Sequence, residues 1–360
     1  MRRVLVFGGY GVFGAHVNRE LAARGVPLTI SGRERARAES LAGQLGPDCR
    51  AGVADVTSPD SCRAALAGHA VAVNCAGPFQ HLDATLLGAC LEAGCHYVDI
   101  ADDRAYVDLV RRRGERFRKR GLAAVYGCSS LPGISGALAL LARAGSTAPV
   151  ERVRVTLFIG NHNPKGSAAV RSLLAGLGSP ITAPQGELRG FRDRELVPLP
   201  PPFGRRPVYN FDSPDYDLLP GLLGARSVVV KLGFELRSVT ALFALLAVLG
   251  AGYGPRTARW LELPGKALGW LGSSGAAVMA ELFLTDGSVR RAVISGPRDG
   301  QRMAALPCAL VVHALSAGDV CVRGAATAYE FLGAQQLVKG LVEAGFTLHQ
   351  EVRRSGWGCR

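Results

Sequence analysis

Along the first third of the chain, short apolar runs alternate with segments of helical spacing, the pattern of successive βαβ units. Six of these runs read as strands, over residues 4–7, 27–31, 50–55, 71–75, 96–100 and 122–126. The segments between them carry helix signals. Val17 and Leu21 lie one turn apart, and Gly25 stands where a helix would end. Ser58-Pro59-Asp60 offers an N-cap, a proline at the first helical position and an acid in the first turn. A further helix is predicted over 83–93, closing at Gly94. Six strands with intervening helices predict a doubly wound parallel sheet of the Rossmann type.

Beyond Pro132 the pattern changes. Residues 151–160 place Val153, Val155, Leu157 and Ile159 on one face, as in a strand covered on one side. A proline-rich stretch over 180–220 is too long for a simple connection and reads as either a functional lid or a wandering surface loop. Strand signals resume at 227–234. They continue in a hairpin over 277–284 and 289–295, turned at Asp286-Gly287. Long helical patterns occupy 303–316 and 326–344. The class is therefore α/β, an N-terminal Rossmann domain over 1–132 followed over 133–330 by an α+β substrate domain on an open mixed sheet.

Composition narrows the function classes. The 360 residues are 48% hydrophobic and 20% charged, enough apolar material for real cores. The formal net charge is +13, but only five of the basic residues are lysines, and no aromatics interleave a basic stripe. That pattern argues against nucleic acid and for an anionic cofactor or acidic substrate. The nine cysteines include no C-x-x-C pair and fall mostly in apolar runs, so neither a disulfide framework nor a metal site is expected. Met1 leads directly into a strand, which leaves no room for a signal peptide and points to the cytoplasm. Residues 238–254 are charge-free and mostly apolar, yet shorter than the roughly 20 residues of a spanning helix. A buried helix is expected there, with peripheral membrane contact as the alternative to stable insertion.

The sharpest motif follows the first strand. Gly8 precedes a complete G-x-G-x-x-G in Gly9-Tyr10-Gly11-Val12-Phe13-Gly14. Gly9 permits the tight turn, Gly11 lets a pyrophosphate approach the backbone, and Gly14 lets the helix pack close to the sheet. The helix N-terminus then offers N–H groups and a positive dipole end to phosphates. At the second strand's end, where an NAD enzyme places a carboxylate for the ribose 2′-hydroxyl, the chain reads Thr29-Ile30-Ser31-Gly32-Arg33-Glu34-Arg35. With no acid before Arg33, a 2′-phosphate meets no repulsion. Arg33, with Arg35 as a second candidate, can pair with it, and Ser31 can donate a hydrogen bond. The expected cofactor is NADP(H). Asp55 ends the third strand, either beside the adenine or capping the next helix. Asn74-Cys75-Ala76-Gly77-Pro78-Phe79 ends the fourth, and Asn74, Ala76, Gly77 and Pro78 would let ribose and nicotinamide lie against the backbone.

These residues, together with Cys90-Leu91-Glu92-Ala93-Gly94-Cys95-His96-Tyr97-Val98-Asp99, resemble the saccharopine dehydrogenase (reductase)-like family. The resemblance covers residues 1–140 and loosens beyond them. It implies an NADP-dependent oxidoreductase, with a C-terminal segment over 331–352 packing back on the Rossmann domain. One departure stands out. Members that reduce saccharopine carry Asp-Pro-Gly after the sixth strand, and this chain has Leu131-Pro132-Gly133. The acid is lost, which argues for a different substrate.

Hydride transfer usually needs a proton donor beside the nicotinamide. Tyr97 and Asp99 are the candidates, and each could equally hydrogen-bond neighbouring backbone. Asp102, Asp103, Cys128 and the loop Asn161-His162-Asn163-Pro164-Lys165-Gly166-Ser167 are further polar sites at the rim. A short-chain dehydrogenase pairs a tyrosine with a lysine four residues on, and no tyrosine here has one. The sequence thus points to an NADP(H)-dependent oxidoreductase acting on a C=N, C–N or C=C bond of a small metabolite. A non-catalytic NADP-binding sensor or accessory protein is the alternative, and a homodimer is an open assembly for either.

Overall fold

Every residue of β1 (Val4–Phe7) is apolar and buried, so this strand sits in the middle of a sheet covered on both faces. The computed structural model describes residues 1–164, 173–249 and 272–354. Its strands after β1 are β2 (Leu28–Gly32), β3 (Cys49–Val53), β4 (Val71–Asn74), β5 (His96–Asp99), β6 (Ala123–Tyr126), β7 (Val150–Ile159), β8 (Pro180–Ala183), β9 (Gly186–Arg189), β10 (Glu195–Pro198), β11 (Arg205–Asn210), β12 (Ser227–Phe234), β13 (Ala276–Leu284), β14 (Ser288–Gly296), β15 (Gly324–Thr327) and β16 (Thr347–Arg354). The described helices are α1 (Val12–Ala22), α2 (Arg35–Leu45), α3 (Pro59–Leu66), α4 (Thr85–Ala93), α5 (Arg104–Arg111), α6 (Gly114–Lys119), α7 (Ser135–Arg143), α8 (Asp215–Leu223), α9 (Arg237–Leu249), α10 (Gly300–Ala317), α11 (Ala328–Leu332) and α12 (Ala334–Glu343).

Contacts divide the chain into two units: residues 1–133 with 304–340, and 134–303 with 341–360. In the first, seven strands are ordered β15-β6-β5-β4-β1-β2-β3, all parallel. The order reverses at β1, between β2 and β4, the switch point at which such sheets bind nucleotides. Local signals set the helix ends. Ser58 accepts from the Ser61 N–H at 3.3 Å with Pro59 at the first helical position of α3, and Gly94 closes α4 in the left-handed conformation.

The second unit carries a mixed sheet ordered β10-β11-β12-β7-β13-β14-β16. Its central strand β7 pairs in parallel with β12 and antiparallel with β13, and β14 returns through the turn at Asp286-Gly287. Phe158, Val197, Phe203, Val208, Met279 and Val293 form its apolar core on one face. On the same face lies an ion-pair row around the buried Glu281. Arg154 bonds Glu281 at 2.7 Å and Glu195 at 2.6 Å, and Arg291 bonds Glu281 at 2.6 Å.

Four differences from the sequence expectations have physical causes. The stretch over 180–220 is not a wandering loop, because it folds into β8–β11 and α8. Pro180 opens β8, Pro198 closes β10 and Pro214 precedes α8, while Pro207 lies within β11 and Pro220 within α8. The helix expected within 238–254 is present as α9 but is not buried. Phe243 and Leu246 pack on Phe191, Phe234 and Leu232, while Leu245 is 55% exposed, Val248 54% and Leu249 66%. Residues 250–254 lie outside the described residues. The single helix expected over 326–344 is instead the end of β15, then α11 and α12. Thr327 begins α11 with a capping box to Glu330, and Gly333 at φ 83° separates the two helices. The segment expected to pack on the Rossmann domain divides as well. It lies with the first unit through Gly340, while β16 pairs with β14, whose edge would otherwise be open. No described helix is long and apolar enough to cross a membrane.

Candidate functional site

The glycine loop leaves no room for side chains. A Cβ at Gly14 would lie 2.3 Å from the Gly8 carbonyl oxygen, so only glycine lets α1 start against the turn. Gly8 has φ 65°, and a Cβ there would meet the Cys75 carbonyl and Ala76 nitrogen at 2.8 Å. The β1 and β4 ends therefore touch backbone to backbone. Gly9 N–H donates to the Ser31 carbonyl and Gly11 N–H to the Gly8 carbonyl, each at 2.9 Å, which fixes the turn. From within α1, the buried Asn18 amide donates to the Gly9 carbonyl at 2.9 Å. Gly11 is the N-cap of α1 and provides no side-chain cap. The N–H groups of Val12, Phe13 and Gly14 have no helical carbonyl behind them and stand ready for an anion. A pyrophosphate fits this cradle.

At the end of β2 the Tyr10 ring lies over Gly32, where a Cβ would come within 2.4 Å of it. Tyr10 Oη accepts from the Glu34 N–H at 2.9 Å, and the Arg37 guanidinium sits 4.5 Å from the ring centroid. Arg33 is exposed beside them, and no carboxylate stands before it at the end of β2. Arg35 begins α2 and faces Glu39 at 3.7 Å. Ser31 points the other way. It is fully buried and its hydroxyl donates to the Val6 carbonyl at 3.0 Å, so it braces the strands. The Asp55 carboxylate accepts from the Thr57 N–H at 3.0 Å and Thr57 hydroxyl at 2.7 Å, which hold its pKa below the usual carboxylate range, with Arg33 adding to the effect. Asp55 thus shapes the turn before α3, whose N-cap is Ser58 and not Asp55.

The strand ends of β4, β5 and β6 are tied by one buried network. Asn74 Oδ1 accepts from the Ala76 N–H at 3.1 Å, and its amide donates to Tyr106 Oη at 3.2 Å and Tyr97 Oη at 3.4 Å. The two phenols lie 2.8 Å apart. Asp99 Oδ1 accepts from the Ala101 N–H at 3.0 Å and the Gly127 N–H at 2.8 Å, and Oδ2 has no partner among the described residues. Burial pushes its carboxyl up to about 6, with those two bonds pulling it back. Burial likewise raises the Tyr97 and Cys128 groups. Neither Tyr97 nor Asp99 is solvent-exposed, so the geometry supports the backbone-bracing reading of Asp99. Beyond Asn74, Ala76 and Pro78 are half-buried and Gly77 is exposed, with a cis bond between Gly77 and Pro78. Asp102 is exposed.

In the second unit, Asn163 is buried. It donates to the Gly275 carbonyl at 2.9 Å and accepts from the Gln301 N–H at 3.2 Å, so it serves the loop's own structure. Lys165, Gly166 and Ser167 lie outside the described residues. No cluster of metal-binding type occurs among the described residues.

Asn18, Tyr106 and Arg37 did not stand out in the sequence. Asn18 carries a signal as the lone polar residue on the face of α1 that holds Gly14, Val17 and Leu21. Arg37 follows Arg33 at a spacing of one helical turn, although α2 begins only at Arg35.

Residues 4–125 match the family model of the saccharopine dehydrogenase NADP-binding domain. Across the whole chain the structure resembles histidine-tagged apo saccharopine dehydrogenase (L-Glu forming) from Saccharomyces cerevisiae. The TM-score is 0.69 at 14% identity, covering 98% of this chain and 100% of that one, a likeness of fold. A short-chain type dehydrogenase/reductase from Mycobacterium ulcerans aligns over 35% of this chain and 66% of its own, at 19% identity and a TM-score of 0.30, too slight to carry a reading. No curated protein matches by sequence. The glycine cradle, the carboxylate-free end of β2 and the family match agree: residues 4–125 are similar to the saccharopine dehydrogenase NADP-binding domain, and the cofactor is NADP(H).

Proposed function

We propose that the protein is an NADP(H)-dependent oxidoreductase of the saccharopine dehydrogenase type, acting on a C=N, C–N or C=C bond of a small metabolite in the cytoplasm. The observation that carries this reading is the closure of the Gly8–Gly14 turn onto Cys75 and Ala76, beside the exposed Arg33. In this assignment the N–H groups of Val12–Gly14 hold the pyrophosphate. Arg33 takes the 2′-phosphate, with Arg37 held over Tyr10 as its neighbour. Ala76, Gly77 and Pro78 line the nicotinamide end. When bound, the nicotinamide would give or take the hydride. Asp99 holds the Ala101 and Gly127 backbone, and through Asn74 the Tyr97–Tyr106 pair steadies the turn at Ala76. Leu131 in place of the family's acid favours a substrate other than saccharopine.

A second reading, an NADP-binding sensor without turnover, is favoured by one observation: both proton-donor candidates, Tyr97 and Asp99, are fully buried and hydrogen-bonded. Paired fluorescence titration with NADPH and NADH, followed by turnover assays on imines and enones, separates the two. Tight NADPH binding with consumption supports the enzyme, binding without consumption of any substrate offered supports the sensor, and no binding of either nucleotide overturns both.

A further inference from the structure

Three cysteine thiols of the first unit have no role in the proposed chemistry and lie close to one another. Cys75 follows β4, Cys128 follows β6 and Cys308 lies in α10. Nothing along the sequence pairs them, and only the fold brings them together. Cys128 and Cys308 are fully buried, while Cys75 is half-buried, so a small solute can reach it. Cys75 and Cys308 are hydrogen-bonded thiol to thiol. Cys128 stands beside Cys75, but its S–H is shared between the Val125 carbonyl at 3.7 Å and the Tyr126 carbonyl at 3.8 Å. The Cys75 backbone is held on the glycine turn. Its N–H donates to the Phe7 carbonyl at 3.0 Å, and its carbonyl oxygen would lie 2.8 Å from a Cβ at Gly8.

We infer that Cys75 and Cys308 are a redox pair, which hydrogen peroxide closes to a disulfide that ties the end of β4 to α10. Cys75 is the thiol that the oxidant meets first. Its sulfur attacks the peroxide, and an S–O bond forms as the O–O bond breaks. The sulfur gives up two electrons, and the second oxygen leaves as water with the thiol proton, so Cys75 becomes a sulfenic acid. Cys308 then attacks that sulfur. The S–S bond forms, the S–O bond breaks, and the departing hydroxide takes the Cys308 proton as a second water. The bond to Cys75 and burial hold the Cys308 thiol well above the ordinary thiol range, so it keeps its proton until Cys75 is oxidised and serves as the resolving partner. Closing the disulfide draws the two sulfurs from hydrogen-bond contact to covalent distance. Because the Cys75 backbone packs on Gly8, that movement reaches the glycine turn, and the closed form binds NADPH more weakly. This last consequence rests on the function proposed above.

Peptide mapping of the full-length protein tests the pair. Hydrogen peroxide in dilute protein solution, followed by alkylation of the remaining thiols, is expected to yield a linked peptide whose fragmentation places the bond between Cys75 and Cys308. Fragmentation is needed because no arginine or lysine separates Cys308 from Cys321. Dithiothreitol should remove the link. It should persist in Cys128→Ser and vanish in Cys75→Ser. In Cys308→Ala, peroxide should instead leave Cys75 as a sulfenic acid, trapped by dimedone. Thermal melts show whether each reduced variant is folded, and the wild-type map stands even where a substitution prevents folding. In parallel, oxidised wild type should lose NADPH affinity in a fluorescence titration and regain it with dithiothreitol. Absence of the link, its location at Cys128, or a linked protein that binds NADPH as the reduced form does would each overturn the proposal. If the reduced protein binds no NADPH, the function proposal fails by itself, and the peptide map still decides the pair.

Discussion

The Asn18 side-chain amide donates to the Gly9 carbonyl at 2.9 Å inside a fully buried contact, so the helix proposed to receive the pyrophosphate also holds the turn before it. Asn18→Ala leaves that carbonyl buried and unpaired, at a cost of about 1–3 kcal/mol. The expected result is a lower melting temperature together with weaker NADPH binding. An Asn18→Ala protein that melts like wild type and binds NADPH equally would show the contact to be dispensable.

At Gly14 the constraint is steric. Gly14→Ala would place a methyl group 2.3 Å from the Gly8 carbonyl oxygen, and backbone must move to relieve it. NADPH affinity is expected to fall by about tenfold or more, about 1.4 kcal/mol. Gly43→Ala is the control. It lies in α2 with nothing within 4 Å of the new Cβ, and alanine in a helix interior should raise stability by roughly 0.5–1 kcal/mol. Isothermal titration and thermal melts on both variants check the contrast.

Arg33 should distinguish the two nucleotides. A charge-assisted bond to a phosphate contributes about 1.5–3 kcal/mol, so Arg33→Ala is expected to weaken NADPH by roughly 10- to 100-fold and NADH little. Equal losses for both nucleotides would remove Arg33 from the 2′-phosphate. The same titration on Arg37→Ala reports whether its place over Tyr10 matters to that site.

A pH effect follows from Asp215. Its carboxylate is fully buried, accepts from Ser135 at 2.8 Å and Ser213 at 2.7 Å, and is pushed by burial up to about 6. An unfolded aspartate titrates near ~3.9. Between those values the folded chain keeps a proton that the unfolded chain has lost. Stability therefore falls as pH rises through that window and levels off above about 6. Asp215→Asn abolishes this titration. Urea melts from about pH 4 to about pH 7 should show the wild-type curve dropping relative to the variant by about 2–3 kcal/mol. Parallel curves would mean an ordinary carboxyl. Asp99 acts in the same direction and is common to both proteins.

Glu281 is 1% exposed and is shared by Arg154 and Arg291. Glu281→Ala removes the shared buried carboxylate and leaves Arg154 to Glu195 and Arg291 to Glu351, with an expected destabilisation of up to about 3–5 kcal/mol. Removing the exposed Glu187, paired with Arg189 at 3.1 Å, should change stability by less than about 1 kcal/mol. Chemical denaturation of the two variants side by side tests whether burial makes the difference.

Much of the fold was legible because its signals are local. The apolar runs at 4–7 and 227–234 coincide with β1 and β12, and the hairpin turned at Asp286-Gly287 joins β13 to β14. Helix ends at Ser58 and Gly94 follow from capping chemistry that acts within a few residues. Less legible was the helix over 326–344, whose first residues, 326–327, instead end a strand paired with β6. The exposure of α9 was hidden for a related reason. A helix apolar on all sides carries no sign of which side meets the core, and only the cluster around Phe191 and Phe234 decided it.

The glycine spacing, the missing carboxylate before Arg33 and the alternation of strands and helices can all be read along the chain, since steric permission, charge and periodicity belong to residues near one another in it. Where the side chains at the strand ends point is a property of the packed sheet. Ser31, Asn74, Tyr97 and Asp99 all stand at or near the carboxyl ends of parallel strands, and all four turn inward to bond Val6, Ala76, Tyr106 and Gly127. A strand buried on both faces leaves no alternation in the sequence to tell core from crevice. That choice is made by hydrogen-bond partners on neighbouring strands, which for Asp99 and Gly127 lie 28 residues apart along the chain.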